Sequence, residues 1–409
     1  MKPGYKQTEV GAIPEDWEVA SLGALGDFSK GSGVRKDEAH SGDLPCVRYG
    51  EIYTHHNDVI REYNSRISSA VAKAAKRLRR GDMLFAGSGE TKEEIGKTVA
   101  FVSDDEAYAG GDIVILSPRA SSSEFLGYAL NAPLINRQKA SKGQGDAVVH
   151  IGAHALASIK LALPPLPEQS AIATALSDVD ALLAGLDKLI AKKRDLKQAT
   201  MQQLLTGKTR LPGFAGEWEV KRLGGIAHIQ RGASPRPIDS PIWFDENSPV
   251  GWVRISDVTA SGMYLKTTQQ RLSSEGIKHS RPVQSGSLIM SICATVGRPV
   301  ITRIDVCIHD GFVVFDDLKA DRKFIYYVLK AIESDWSKHG QTGSQMNLNT
   351  GLINSTSINL PPRDEQAAIA EVLSDLDTEL AALEQRREKT RLLKRGMMQE
   401  LLTGRTRLM

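Results

Sequence analysis

Residues 163–211 read LPPLPEQSAIATALSDVDALLAGLDKLIAKKRDLKQATMQQLLTGKTRL, and residues 360–408 read LPPRDEQAAIAEVLSDLDTELAALEQRREKTRLLKRGMMQELLTGRTRL. The two stretches align without a gap at an offset of 197 residues, and more than half of the positions are identical. An identity this long inside one chain is an internal repeat, and it decides the architecture. In each copy a double proline, Pro164-Pro165 or Pro361-Pro362, ends the preceding segment. Proline fixes its own φ and disfavours helix in the residue before it. Apolar residues then recur at steps of four and three. They are Ile172, Leu176, Val179, Leu183, Leu186 and Ile190 in the first copy, and Ile369, Leu373, Leu376, Leu380 and Leu383 in the second. That is the spacing of a coiled-coil seam. The later turns are basic (Lys192, Lys193, Arg194 and Lys197; Arg386, Arg387, Lys389, Arg391, Lys394 and Arg395), which suits the C-terminal end of a helix dipole. Gly207 and Gly404 stand where a C′ glycine would stop each helix. Each copy is therefore expected to form one helix, roughly 50–60 Å long at 1.5 Å per residue.

The repeat extends beyond the helices. Trp17-Glu18-Val19 matches Trp218-Glu219-Val220, Val47-Arg48 matches Val253-Arg254, and Arg66-Ile67-Ser68-Ser69 matches Arg271-Leu272-Ser273-Ser274. The order is globular domain, long helix, globular domain, long helix, with boundaries at residues 1–163, 164–207, 208–360 and 361–409. The globular halves carry short apolar runs bounded by Gly, Ser and Asp, such as Met83 to Ala86, Asp112 to Leu116, Ser287 to Ile292 and Gly311 to Phe315. These read as strands. Helical patterns lie between them at Glu124 to Asn131 and Arg322 to Ile332. The expected fold class is α/β: two mixed α/β domains joined by two long antiparallel helices as a coiled coil, a pseudo-twofold dumbbell built on the internal repeat.

At 409 residues, 41% hydrophobic and 25% charged, the chain has the composition of an ordinary multidomain globular protein. Its formal net charge of +3 is small, so a polyanionic partner must be met by local patches. Three scattered cysteines, Cys46, Cys293 and Cys307, do not make a disulfide framework or a four-ligand zinc site. They suit a reducing cytoplasm. No apolar run reaches the roughly 20 residues of a membrane span.

Catalytic patterns fail on inspection. Gly96-Lys97-Thr98 resembles the end of a phosphate-binding loop, but the glycine needed five residues earlier is Thr91. Asn359-Leu360-Pro361-Pro362 resembles an amino-methyltransferase tetrapeptide, but Leu360 breaks it and no glycine-rich cofactor loop accompanies it. No catalytic residue, metal site or cofactor is expected. Binding chemistry is present instead. Lys73 and Lys76 align with Lys278 and Arg281, and the first copy adds Arg77, Arg79 and Arg80 in a stretch, Ala70 to Arg80, that reads as a short cationic helix. Such groups suit DNA phosphates, whose contacts position a protein without reading bases; the alternative is a solvated helix face. Base reading needs multi-donor side chains, Arg for guanine and Asn or Gln for adenine. Arg48 aligns with Arg254, and Gln144 with Gln341. Arg35, Lys36, Tyr49 and Lys92 join them in the first half, and Arg231, Arg236, Arg298, Gln345 and Asn347 in the second. For Arg48 and Arg254 a structural ion pair is the alternative.

The helix starts LPPLPEQ and LPPRDEQ, the exits LLTGKTRL and LLTGRTRL, and the Trp17 and Trp218 motifs together resemble the specificity subunit of type I restriction–modification systems. The resemblance covers the whole chain. It implies two target-recognition domains, each reading one half of a bipartite double-stranded DNA target. It also implies two helices that set the spacer and bind two modification (methyltransferase) subunits, with restriction/translocase subunits joining the full complex. It implies a non-catalytic chain, without cofactor, in the cytoplasm. Because the halves differ at many candidate base readers, the target is expected to be asymmetric. Glu168, Gln169, Gln202 and Gln203, with Glu365, Gln366, Gln399 and Glu400, are the expected exposed docking positions. The competing reading is an assembly scaffold of a related phage-defence complex that does not read DNA.

Overall fold

The computed structural model describes residues 3–336 and 348–408. Both repeats form helices of 39 residues, Leu166–Leu204 and Arg363–Leu401. Each ends as the sequence requires. Gly207 and Gly404 adopt φ of 70° and 68°, the left-handed region that suits a helix-terminating glycine. A Cβ on Gly404 would lie 2.6 Å from Pro14, so that position also needs the missing side chain. The chain divides into two compact units, Met1–Asp187 with Gln385–Met409, and Lys188–Glu384. Each long helix thus gives one half to each unit.

In the first unit a four-stranded antiparallel sheet runs in the order Thr98–Ala100, Met83–Ala86, Ile113–Pro118, Gly26–Lys30. Successive strand side chains point to opposite faces, and the sequence exploits this. Met83, Phe85, Val114 and Leu116 enter one core, and Leu84, Ala86, Ile113 and Ile115 another. The second core also takes Ile52 from the helix Tyr49–Thr54, Leu78, and Val47 from a smaller sheet ordered Ser65–Ile67, Leu44–Val47, Tyr108–Ala109, Lys76–Arg77. Its central pair is parallel. The first core is closed by the helix Ser123–Ala129, by Trp17, and by both long helices. Ile172 and Leu176 come from one, and Leu401 and Leu402 from the other.

The second unit repeats this plan. Its larger sheet runs His228–Arg231, Phe312–Asp316, Leu288–Ser291, Pro299–Thr302, and adds Tyr264–Leu265 in parallel at the edge. Its smaller sheet runs Gln270–Arg271, Gly251–Val253, Val306–Ile308, Arg281–Val283, again with a parallel central pair. Leu288, Met290, Val313 and Phe315 face the core shared with the helix Arg322–Ala331 and with Ile369, Leu373, Leu204 and Leu205.

Within each unit the long-helix halves are antiparallel. In the first, Asp180 pairs with Lys394 and Asp187 with Arg387. In the second, Lys193 pairs with Glu379 and Lys197 with Asp377. Leu186, Ile190 and Leu380 are buried; Val179, Leu183, Leu376 and Leu383 are half-buried. The outer seam positions have a further role. Ile172, Leu176, Ile369 and Leu373 are fully buried because they plug the domain cores.

Candidate nucleic-acid interface

The cationic stretch in the first unit is not one helix. Helix covers only Ser69–Ala72, and Lys76–Arg77 form the edge strand of the smaller sheet, paired with Tyr108–Ala109. Leu78 explains the switch, because its burial in the inter-sheet core fixes an extended backbone there. Lys73, Lys76, Arg77 and Arg79 are exposed and make no ion pair among the described residues, whereas Arg80 pairs with Asp104 at 2.8 Å. The loop carrying exposed Arg35 and Lys36 lies beside this edge, held where Ser32 Oγ donates to the Ala74 carbonyl at 2.9 Å. Lys92 sits in a second loop among Glu90, Glu93 and Glu94. Gln144 is exposed at the base of a tight turn, its backbone paired with His150.

Arg48 and Arg254 occupy the same place in the two units, just before the helices Tyr49–Thr54 and Ile255–Ala260. Their backbone N–H groups donate to the buried carboxylates of Glu51 and Asp257 at 3.3 and 2.8 Å. Neither guanidinium makes an ion pair among the described residues. Arg254 Nε is engaged by Gln270 Oε1 at 2.8 Å. Tyr49 is exposed.

The second unit arranges its cations differently. Lys278 lies 3.0 Å from Glu275. Arg281 Nε donates to the Arg231 carbonyl at 2.6 Å, and Arg281 Nη1 donates to Gln230 Oε1. Arg231 Nε donates to the Asp310 carbonyl at 2.6 Å, and Arg236 approaches the Asp310 carboxylate at 3.5 Å. The hydrogen bond from Ser234 Oγ holds the Asp310 carboxyl below the usual range, so it stays ionised. Arg298 is half-buried, and Gln341, Gln345 and Asn347 lie outside the described residues.

Half of the expected docking positions are buried, not exposed. Glu168, Gln169, Glu365 and Gln366 are at most 5% exposed. Glu168 accepts from Trp17 Nε1 at 2.9 Å and from Arg407 Nε and Nη2 at 2.6 and 2.8 Å. Glu365 accepts from Trp218 Nε1 at 3.1 Å and from Arg210 Nη2 at 2.6 Å. Each glutamine bridges backbone. Gln169 joins Ser122 N–H to the Pro164 carbonyl, and Gln366 joins Asp321 N–H to the Pro361 carbonyl. The start of each helix is thus clamped by the exit of the other, through the arginine of TRL. Asp16 also takes Arg407, at 2.7 and 2.9 Å. The hydrogen bonds that Arg407 donates to Glu168 and Asp16 hold its guanidinium proton above the ordinary range. Gln202, Gln203 and Gln399 remain exposed, and Glu400 is half-exposed.

A family described as type I restriction modification DNA specificity domain matches residues 14–193 and 215–393. The chain belongs to this family. The putative type I restriction enzyme MjaX specificity subunit of Methanocaldococcus jannaschii is 26% identical over 98% of this chain and 96% of its own length. The crystal structure of a type I restriction–modification S subunit from M. genitalium matches with a TM-score of 0.62 over 98% of this chain and 99% of that one, at 14% identity. A second solved chain, from a study of complex assembly and conformational transition of the type I R-M system, matches with a TM-score of 0.59, 20% identity, and coverage of 96% and 99%. The chain is a type I specificity subunit, a recognition component and not an enzyme.

The specificity subunit also carries a second duplicated node that the sequence reading missed. Tyr128 Oη donates to Asp180 at 2.7 Å, and Lys394 reaches Asp180 and Asp58, each at 2.7 Å. In the other unit Tyr327 Oη donates to Asp377 at 2.7 Å, and Lys197 pairs with the same carboxylate. The signal was available, since Asp180 and Lys197 recur as Asp377 and Lys394 at the helix offset. Among the described residues no group of His, Cys, Asp and Glu is placed to hold a metal, and no helix is long and apolar enough to cross a membrane.

Proposed function

We propose that each unit reads one half of a bipartite, asymmetric double-stranded DNA target, with residues 1–163 and 208–360 as the reading portions. The helical stretches 164–207 and 361–409 set the spacer and carry two modification subunits, to which restriction/translocase subunits are added in the cytoplasm. One observation carries this. The two units share sheet order and helix clamps, yet place different cations on the same edge of the smaller sheet: Lys76 and Arg77 on one, Arg281 on the other. A shared frame with unlike rims is what two different readings by one fold require. Phosphate contacts from the exposed lysines and arginines position the duplex, and multi-donor side chains at the loops read base edges. Half-site separation on DNA must match the separation of the readers, so helix length is the natural determinant of the spacer. Exposed Gln202, Gln203 and Gln399, with Glu400, are the remaining docking positions on the helices.

The test is methylome sequencing of a host carrying this chain with its modification subunits, before and after inserting four residues, about one helical turn, into both long helices. The reading expects the same two half-sites around a changed spacer. An unchanged spacer refutes the helices as its determinant. A motif that does not depend on this chain at all would favour a scaffold that does not read DNA.

A further inference from the structure

The candidate arginines of the second unit differ in exposure and in the donors they keep free. Arg254 keeps its Nη groups but is half-buried, with Nε engaged by Gln270. Arg281 has both Nε and Nη1 engaged. Arg231 differs. It is exposed at the end of the strand His228–Arg231, and its Nε is tied to the Asp310 carbonyl at 2.6 Å. That single bond fixes the plane of the guanidinium while leaving Nη1 and Nη2 without a partner among the described residues. A planar fork of this kind matches the O6 and N7 acceptors of guanine in the major groove.

The support for the fork is built in. The next residue, Gly232, approaches the opposing turn so closely that a Cβ there would lie 2.1 Å from the His309 carbonyl. This close approach seats Arg231 against Asp310. Ser234 Oγ holds the Asp310 carboxylate at 2.6 Å, which fixes the turn that supplies the carbonyl. The first unit has the same backbone arrangement: a Cβ on Gly31 would lie 2.0 Å from the Gly110 carbonyl. The residue before it is Lys30, a point charge without a planar fork.

We infer that Arg231 reads a guanine in the half-site recognised by the second unit, and that the first unit has no counterpart to this contact. The inference rests on the bipartite reading above. Methylome sequencing with Arg231→Ala should relax one guanine position in one half-site and leave the other half unchanged. Arg231→Lys keeps the charge but lacks the fork, so it should relax the same position. In binding assays with the chain assembled with its modification subunits, 7-deazaguanine at that position removes N7 from the duplex. The wild type should lose between about 5- and 150-fold in affinity, while Arg231→Ala should be insensitive to the change. Full stringency in both variants, equal sensitivity of wild type and Arg231→Ala to 7-deazaguanine, or a second half-site lacking guanine on either strand overturns the assignment. If Arg231→Ala abolishes all methylation, Arg231→Lys and the binding assay decide. A motif unaffected by deletion of the gene would instead overturn the bipartite reading itself.

Discussion

The two units are alike inside and unlike at the rim. Both fix a tryptophan, a glutamate and an arginine at the junction of domain and helix: Trp17, Glu168 and Arg407 in one, Trp218, Glu365 and Arg210 in the other. Both fix a tyrosine, an aspartate and a lysine farther along the helices. The rims share position but not chemistry. The first presents Lys73, Lys76, Arg77 and Arg79 without acid partners among the described residues, and the second ties its arginines to carbonyls, Gln230 and Asp310. The lesson is a division of labour within one chain: duplicated polar clamps hold the frame, and unclamped edges are left to differ.

The clamps are not equally insulated, and this predicts unequal responses to the same change. Trp17 is fully buried, whereas Trp218 is half-buried. Glu168→Ala would orphan a buried indole N–H, at a cost of about 1–3 kcal/mol. Glu365→Ala would cost less, because the indole of Trp218 can turn to water. Denaturant unfolding of the two variants measures the difference, and equal losses would show that the clamps are energetically interchangeable.

At the rims, reversal of Lys73, Lys76, Arg77 and Arg79 to Glu should weaken DNA binding by the assembled complex and flatten its salt dependence, by roughly 0.9 in log–log slope per lost phosphate contact. Reversal of Lys278 and Arg281 should do less, since both already have protein partners. Titration of affinity against salt separates the two.

A further contrast lies in the cores. Lys139 is fully buried in the first unit, its Nζ donating to the Gly96 and Leu130 carbonyls at 2.7 and 2.8 Å, and burial lowers its pKa to about 7. Trp336, at the same repeat offset, packs over Gly297 where Lys139 packs over Gly96. Because the folded pKa lies below the ordinary lysine range, the unfolded chain binds more protons between about pH 7 and pH 10. Stability therefore rises with pH across that window, and the rise is absent below it. Lys139→Met should flatten this slope in pH-dependent unfolding, whereas Trp336→Phe should not. The smallest expected effect is between the two helix lysines. Lys394 bridges two carboxylates, but Lys197 pairs with one. Lys394→Ala should destabilise more than Lys197→Ala, by about 1 kcal/mol, read from the same unfolding curves.

The sequence made the frame legible. Heptad spacing, double prolines and terminal glycines carry enough local physics to define both helices, and short apolar runs bounded by Gly, Ser and Asp define the central strands. The clamps were misassigned for a physical reason. A Glu-Gln pair in the first turn of a helix looks like solvated or capping chemistry, and the partners that bury it are 151 residues away at Trp17 and 239 at Arg407. Local charge density likewise suggested a helix over Ala70 to Arg80, but tertiary burial of Leu78 made its second part a strand. The reading residues were the least legible, because exposure and donor availability depend on which carbonyl lies opposite. Arg231 and Arg281 look alike in sequence, yet Arg231 is exposed with one donor engaged and Arg281 is half-buried with two.

The most direct test of the account replaces the second reading portion with a copy of the first. Residues 17–163 would be placed where residues 218–360 stand, so that each set of helix motifs keeps its clamp. Methylome sequencing is predicted to return a bipartite target whose two halves are copies of one half of the original. An unchanged asymmetric target, with the chimaera assembled and active, would contradict the claim that each unit reads its own half.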